Sequence, residues 1–309
     1  MMTRQIKVFA PATIANVGPG FDILGLALKN PGDEILIKMT GKPGITIINR
    51  SPYLLPSDPA ANVCGVVLQA MLKHLNSNQG FEIQVLKKIM PGSGMGSSAA
   101  SAAATVFGAN ELMSRPFSLT ELVGFAAQGE RLASGVPHAD NVGPALLGGF
   151  VLIRSYNPLD IIKLNFELEL WCAVVHPHIE VKTEDARKIL QDKVPLRDAV
   201  KQWGNVAGLI TGLFKKDLDL ISRSLQDVIV EPVRAMLIPG FDAVKRAALT
   251  AGALGSSISG SGPSIFALAS TERNAQRVAQ AMEHAFFNQG IDCDTVVSPV
   301  SNQGVRITG

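Results

Sequence analysis

The sequence predicts an α+β protein whose two lobes pack around a shared cleft, on three observations. Period-two strand patterns and 3.6-period helix patterns are interleaved without strict alternation. Many of the 29 glycines fall in three short segments rich in Ser, Ala or Pro, each at an element boundary. No low-complexity linker divides the 309 residues, although they are about twice an average domain. An apolar share of 47% against 17% charged supplies a sizeable core and argues against disorder.

Along the chain, Ile6 to Ala10 and Glu34 to Met39 read as strands, and the stretch from Pro11 to Gly25 is long for a mere connection. Residues 60–75 place Val63, Val66, Val67, Ala70, Met71 and Leu75 at helical spacing, with Asn62 near the start. Phe81 to Leu86 alternates at period two, a half-buried strand. The loop Met90 to Ser98 follows, then an Ala-rich helix to Met113. Ser118 and Glu121 have capping-box spacing and open a helix to about Ala133 that carries Glu130. A second glycine segment, Gly135 to Pro144, leads into a strand from Gly149 to Arg154. Leu168 to Val175 is a strand, Glu184 to Gln191 a helix, and residues 196–249 hold two or three more helices. A third segment, Gly252 to Pro263, precedes the strand Ser264 to Ala269 and the helix Glu272 to Asn288. The expected lobes are residues 1–155 and 156–309.

Several classes are disfavoured. A net charge of +2, with no basic stripe and only two Trp and two Tyr, argues against nucleic acid. No apolar run nears the ~20 residues that span a bilayer, and Met1 to Val8, with Arg4 and Lys7, has no leader-like apolar segment. A cytoplasmic protein without a membrane partner is expected. Cys64, Cys172 and Cys293 are far apart and odd in number, and read as buried free thiols. His176-Pro177-His178 lacks further ligands for a metal.

The first glycine loop is the strongest local signal. A loop that presents several backbone N–H groups at a helix start binds anions, because those donors lack intrahelical partners and the dipole favours negative charge there. Gly92, Gly94 and Gly96 would let the backbone approach a phosphate, and Ser97 and Ser98 add hydroxyls for phosphate or metal. No Lys lies within Pro91 to Ser101, so Walker A fails. Gly94-Met95-Gly96-Ser97-Ser98-Ala99 fits the relaxed dinucleotide pattern but lies outside an N-terminal βαβ unit, and the glycine loops hold no G-x-S-x-G elbow.

Taken together, the three segments resemble the signature motifs of the GHMP kinases. Pro91-Gly92-Ser93-Gly94-Met95-Gly96-Ser97-Ser98-Ala99-Ala100 is similar to their nucleotide loop, with Met95 in place of the usual Leu. Ala10 to Asp22 (APATIANVGPGFD), Pro137 to Val142, Ile258 to Ser264 and Glu231 to Arg234 resemble the homoserine-kinase branch, and the Gly-Glu-His of galactokinases and mevalonate kinases is missing. The likeness runs from about residue 5 to about residue 305.

The resemblance implies an N-terminal ribosomal-protein-like α/β sandwich and a C-terminal ferredoxin-like lobe. It implies ATP-dependent phosphorylation of the side-chain hydroxyl of L-homoserine, the step before threonine synthesis; the alternative is another small-molecule kinase of the superfamily, of the mevalonate or 4-diphosphocytidyl-methylerythritol type. A silent metabolite sensor on this fold should have lost the loop serines or Glu130, and both are present. ATP would meet Pro91 to Ser101 (Pro91, Gly92, Ser93, Gly94, Met95, Gly96, Ser97, Ser98, Ala99, Ala100, Ser101), with Asn62 by the adenine; Ser98 and Glu130 would hold Mg²⁺. Homoserine would be met by Asn16, Asp22, His138, Asn141, Arg187 and Arg234, and a homodimer is expected.

Chemistry gives these positions roles. Asp22 can pair with an α-ammonium, and Arg187 and Arg234 offer planar forks to a carboxylate. Mg²⁺ prefers oxygen ligands, which suits Ser98 with Glu130. At the hydroxyl, Asn141 cannot act as a base but can orient the attack, while the adjacent Asp140 is the rival candidate; Asn141 is favoured because neighbouring side chains rarely face one point.

Overall fold

The computed structural model describes residues 5–135 and 137–309; Met1 to Arg4, and Val136 of the second glycine segment, lie outside them. The chain opens with β1 (Gln5–Ala15) and β2 (Leu24–Thr40), an antiparallel pair. Both strands run further than the sequence suggests, so the expected long connection contracts to residues 16–23. The ladder shifts register between Pro11 and Thr13, where proline has no N–H to offer it. Then come β3 (Ile45–Asn49), α1 (Val63–His74), β4 (Gly80–Leu86), α2 (Ser97–Leu112), α3 (Leu119–Ser134), α4 (Val142–Leu147), β5 (Phe150–Tyr156) and β6 (Leu159–Leu164). Asn62 caps α1 by accepting the Cys64 N–H at 3.0 Å, and Ser118 with Glu121 forms the capping box of α3. The expected second loop contains the short helix α4, disguised by Gly143 and Pro144, residues tolerated in a first turn.

The second half holds β7 (Trp171–Pro177), α5 (Thr183–Lys188), α6 (Leu196–Lys215), α7 (Leu218–Ser224), α8 (Glu231–Arg234), α9 (Phe241–Thr250), β8 (Gly255–Ile258), β9 (Ile265–Ala269), α10 (Glu272–Phe287), β10 (Cys293–Pro299) and β11 (Arg306–Ile307). Strand β8 lies inside the third glycine segment, where only Ile258 among its four residues is apolar enough to announce it.

Two sheets result. One has the order β11-β1-β2-β4-β3, with β5 also on β2 and β6 on β5; the other is antiparallel, β10-β7-β9-β8. By sheet membership the first half extends through Leu164, past the residue-155 boundary suggested by sequence, and the C-terminal β11 returns to it. The second sheet is apolar on both faces, as period-two alternation allows: Cys172, Val174, Phe266 and Leu268 join the main core, while Ala173, Val175, Ile265 and Ala267 pack with Val244, Val278 and Met282 of α9 and α10. One core therefore runs from the first sheet through to the near face of the second. Cys64 and Cys172 are buried free thiols as expected, but Cys293 is only half-buried because β10 is an edge strand. No helix among the described residues is long and apolar enough to cross a membrane.

Helix α2 is buried on nearly every side, and its alanines permit that. A Cβ at Gly108 would lie 2.4 Å from Ile37 Cδ1 of the sheet. The closeness sets the N-terminus of α2 deep in the cleft.

Candidate active site

A cavity of about 380 Å³ opens between the halves, lined at one end by Pro91, Gly92, Gly94, Gly96, Ser97 and Ser98, and at the other by Asp22, His138, Asn141, Arg187 and Arg234. Gly96 is the N-cap of α2 in the left-handed region (φ 66°), and no side chain among the described residues caps the helix, so its first-turn N–H groups face the cavity without a built-in acceptor there. A Cβ at Gly96 would stand 2.0 Å from Thr13 Oγ1 and 2.9 Å from Asn141 Oδ1, and one at Gly94 2.6 Å from the Ser259 carbonyl oxygen. Both positions thus need glycine for conformation and for space.

The third glycine segment braces this loop from the opposite half. Ser259 Oγ donates to the Gly94 carbonyl at 2.7 Å, and Ser264 Oγ, itself 3.1 Å from His176 Nδ1, donates to the Ser93 carbonyl at 2.5 Å. Within Pro91 to Ser101, the side chains of Ser93, Met95, Ala99 and Ala100 are buried away from the cavity, whereas Ser97, Ser98 and Ser101 line it. Asn62 also lines it, but its amide is engaged, giving Nδ2 to the Pro56 carbonyl at 2.7 Å and taking the Cys64 N–H.

Beneath the loop lies a buried platform. Lys87 Nζ donates to Asp33 Oδ2 at 2.5 Å, to the Ser97 carbonyl at 2.6 Å and to Ser101 Oγ at 2.9 Å. Asp33 Oδ1 accepts the backbone N–H groups of Lys88 and Ile89 at 2.8 and 2.9 Å. Lys87 escaped the sequence reading, yet Phe81, Ile83 and Val85 fix the inward face of β4, and position 87 continues that period.

Ser98 Oγ donates to Glu130 Oε1 at 2.8 Å across the α2–α3 contact. Glu130 is buried, and that burial holds its carboxyl above the usual carboxylate range against the lowering influence of Ser98 and Lys87. A desolvated carboxylate beside a hydroxyl, both facing the anion-binding helix start, is a donor pair suited to a hard cation. The residues fit Mg²⁺.

At the other end, Asn16 and Asp22 adopt left-handed backbone (φ 68° and 60°). Asn16 stabilises the turn by accepting the Asp22 N–H at 3.0 Å and donating to the Gly260 carbonyl at 2.8 Å. Sequence reasoning gave Asp22 and Arg187 to opposite charges of a ligand; the structure pairs them with each other, Arg187 Nη2 lying 2.8 and 2.9 Å from the two carboxylate oxygens. Arg234 is buried, donates to the Ala186 and Gly260 carbonyls at 3.0 and 3.1 Å, and shares the Phe21 ring with Arg187 as a cation–π neighbour. Burial, with Arg187 nearby, pushes the Arg234 guanidinium down to about 10, so it stays charged at neutral pH. His138 Nδ1 lies 3.5 Å from Asp22 Oδ1, while its Nε2 is buried without a hydrogen-bond partner among the described residues. Burial lowers its pKa, outweighing Asp22 and favouring the neutral imidazole.

Asn141 lies at the start of α4, and its Oδ1 accepts the Thr13 hydroxyl at 2.7 Å. That leaves the amide N–H groups as what Asn141 can offer a ligand. Asp140 is 4% exposed, and burial, reinforced by Asp22 and Glu130, pushes its carboxyl up to about 8. Thr13, Thr183 and Ser261 also belong to the site: Thr183 Oγ1 and Ser261 Oγ, 3.1 Å apart, line the cavity. Thr13 and Ser261 lie inside the motif segments; Thr183 follows no pattern that a single sequence displays.

Known proteins are similar to this chain in sequence and fold. The family model for the GHMP kinases N terminal domain matches residues 62–149, and that for the GHMP kinases C terminal matches residues 209–289. The homoserine kinase of Chlorobium phaeobacteroides is 50% identical, covering 98% of this chain and 99% of its own length; that of Methanococcus maripaludis is 42% identical over 87% and 89%. The crystal structure of homoserine kinase from Cytophaga hutchinsonii superposes with a TM-score of 0.94 at 51% identity, covering 100% of this chain and 98% of its own. The L. major mevalonate kinase, crystallised with R-mevalonate, shares the fold at a TM-score of 0.71 and 20% identity. Identity near one residue in two over full length, with the two-sheet fold and both family domains, establishes that the chain belongs to the homoserine kinase family of the GHMP kinases.

Proposed function

We propose that this chain transfers the γ-phosphoryl group of ATP to the side-chain hydroxyl of L-homoserine, yielding O-phospho-L-homoserine and ADP, with Mg²⁺ held by Ser98 and Glu130. The observation that carries the reading is one cavity joining an uncapped helix start to a cluster with both charge signs, Asp22 against Arg187 and Arg234. The kinship with homoserine kinases supports the substrate. A reaction among free metabolites fits a cytoplasmic setting.

The first-turn N–H groups of α2 and the loop backbone take the phosphates, and a cation held by Ser98 and Glu130 would supply charge neutralisation there. Arg234 takes the α-carboxylate and Asp22 the α-ammonium. Asn141, its carbonyl already committed to Thr13, donates an N–H to the substrate oxygen and aims it at the γ-phosphorus. The oxygen–phosphorus bond forms as the β–γ bridging bond breaks, and the hydroxyl proton passes to a γ-phosphate oxygen or to solvent. Asp140, protonated through most of the neutral range, is a poor acceptor for that proton. A coupled ADP-release assay across homoserine, mevalonate, galactose and shikimate tests the reading: turnover with homoserine is expected, and silence with homoserine beside turnover of another alcohol overturns it.

A further inference from the structure

The two segments that form the amino-acid end of the cavity, residues 16–22 and 138–141, are far apart in sequence and lie largely in irregular backbone. Asp22 sits in the left-handed region, a conformation that a non-glycine residue keeps only when its surroundings hold it. Its N–H is held by the Asn16 side chain. Its carbonyl is held from outside the loop: Tyr156, at the end of β5, donates its phenolic hydrogen to the Asp22 carbonyl at 2.6 Å. The phenolic oxygen of Tyr156 in turn accepts the N–H of Ala139, between His138 and Asp140, at 3.3 Å. One hydroxyl thus uses its donor on the ammonium-binding loop and a lone pair on the loop bearing His138 and Asn141. Strand β5 is anchored in the first sheet through β2 and β6, so the phenol is carried on a rigid element.

We propose that Tyr156 is a positioning residue for the amino-acid substrate. By tying the Asp22 carbonyl to the Ala139 N–H, it fixes the distance between the Asp22 carboxylate and the Asn141 amide, the two points at which a bound homoserine is gripped by its ammonium and its hydroxyl. This rests on the activity proposed above. The nucleotide end is independent of it, since α2, Lys87 and Ser98 make their contacts without Tyr156.

The test is Tyr156→Phe, which keeps the ring and removes both hydrogen bonds. The residue is 41% exposed, so the fold should tolerate the change with little loss of melting temperature. KM for homoserine is expected to rise about tenfold, the scale of one to two lost hydrogen bonds, while KM for ATP stays within twofold. Homoserine affinity measured by calorimetry should fall in parallel. Wild-type turnover with homoserine bears on the proposed activity; the variant-to-wild-type ratio bears on Tyr156. A variant with wild-type KM for homoserine, or one whose two KM values rise together, overturns the positioning role.

Discussion

Replacing Lys87 with methionine separates the platform's contribution to folding from its contribution to the nucleotide loop. The side chain is 4% exposed and donates to three oxygens, while its partner Asp33 is fully buried. Removing one member of a buried ion pair costs about 3–5 kcal/mol, because the other charge is left uncompensated. Asp33 keeps two backbone N–H donors, which argues for the lower part of that range, whereas the Ser97 carbonyl and Ser101 hydroxyl each lose a donor at about 1 kcal/mol. The net expectation is a loss of about 3–5 kcal/mol, or roughly 5–8 °C in Tm for a chain of this size. Because the Ser97 carbonyl belongs to the first turn of α2, KM for ATP should also rise, by about tenfold, with KM for homoserine unchanged. The double variant Lys87→Met with Asp33→Asn removes both charges and keeps an acceptor for the Lys88 and Ile89 N–H groups. It should recover most of the stability but not the ATP affinity, since the Lys87 hydrogen bond to the Ser97 carbonyl stays lost. Thermal melts and initial-rate kinetics on the three proteins suffice. A single variant that loses under about 1 kcal/mol, or a double variant no more stable than the single, would refute the reasoning.

Three further outcomes follow from the site. Glu130→Gln should lower kcat by on the order of 10² with no fall in Tm, because a neutral amide escapes the desolvation that burdens the buried carboxyl; near-wild-type activity at limiting Mg²⁺ would make Glu130 structural. Asn141→Ala should depress kcat by ~10², while Asp140→Asn retains substantial activity; at saturating substrates the reverse pattern in folded proteins would make Asp140 the base. Asp140 also predicts a pH dependence of stability. Its carboxyl titrates near 8 in the folded chain and near 3.8 unfolded, so between these values the native state binds the extra proton and stability falls as pH rises. Asp140→Asn should therefore melt higher than wild type at pH 8, by a margin that closes towards pH 4; a margin independent of pH removes Asp140 as the cause.

The sequence made the elements nearest the chemistry legible where local pattern and tertiary role coincide. The period-two run of β4 and the capping box of α3 are stated by their own residues, and the glycines at 92, 94 and 96 do occupy left-handed backbone. The misses have physical causes. Helix α4 hides behind Gly143 and Pro144, and β8 carries two serines because its face is set by contacts with β9 rather than by its own hydrophobicity. Lys87 and Asp33, 54 residues apart, form their pair only once β2 and β4 are in register, and Thr13 reaches Asn141 across 128 residues. Pairings across such separations leave no mark in a single sequence, even where each partner lies in a recognisable motif.

On the proposed reading, the pairing of Asp22 with Arg187 makes Arg234 the main attractor of the substrate's carboxylate. Arg234 spends two of its five N–H donors on the Ala186 and Gly260 carbonyls, and Arg187 turns Nη2 to both oxygens of Asp22, so each keeps donors for a carboxylate and charge, not donor number, separates them. The Asp22–Arg187 pair is close to neutral as a unit, so the excess charge at this end of the cavity is the buried cation of Arg234. With the neutral imidazole of His138 beside it, the end is net positive, and it favours a ligand bearing a carboxylate over an uncharged sugar. A carboxylate alone would leave Asp22 facing only Arg187 and His138. An α-ammonium on the same ligand adds a donor to a carboxylate whose side chain is still 26% exposed, and that second contact separates an amino acid from a simple hydroxy acid. On that reading, selectivity rests on two opposite charges held a fixed distance apart, with the hydroxyl end met by the Asn141 amide whose orientation Thr13 sets.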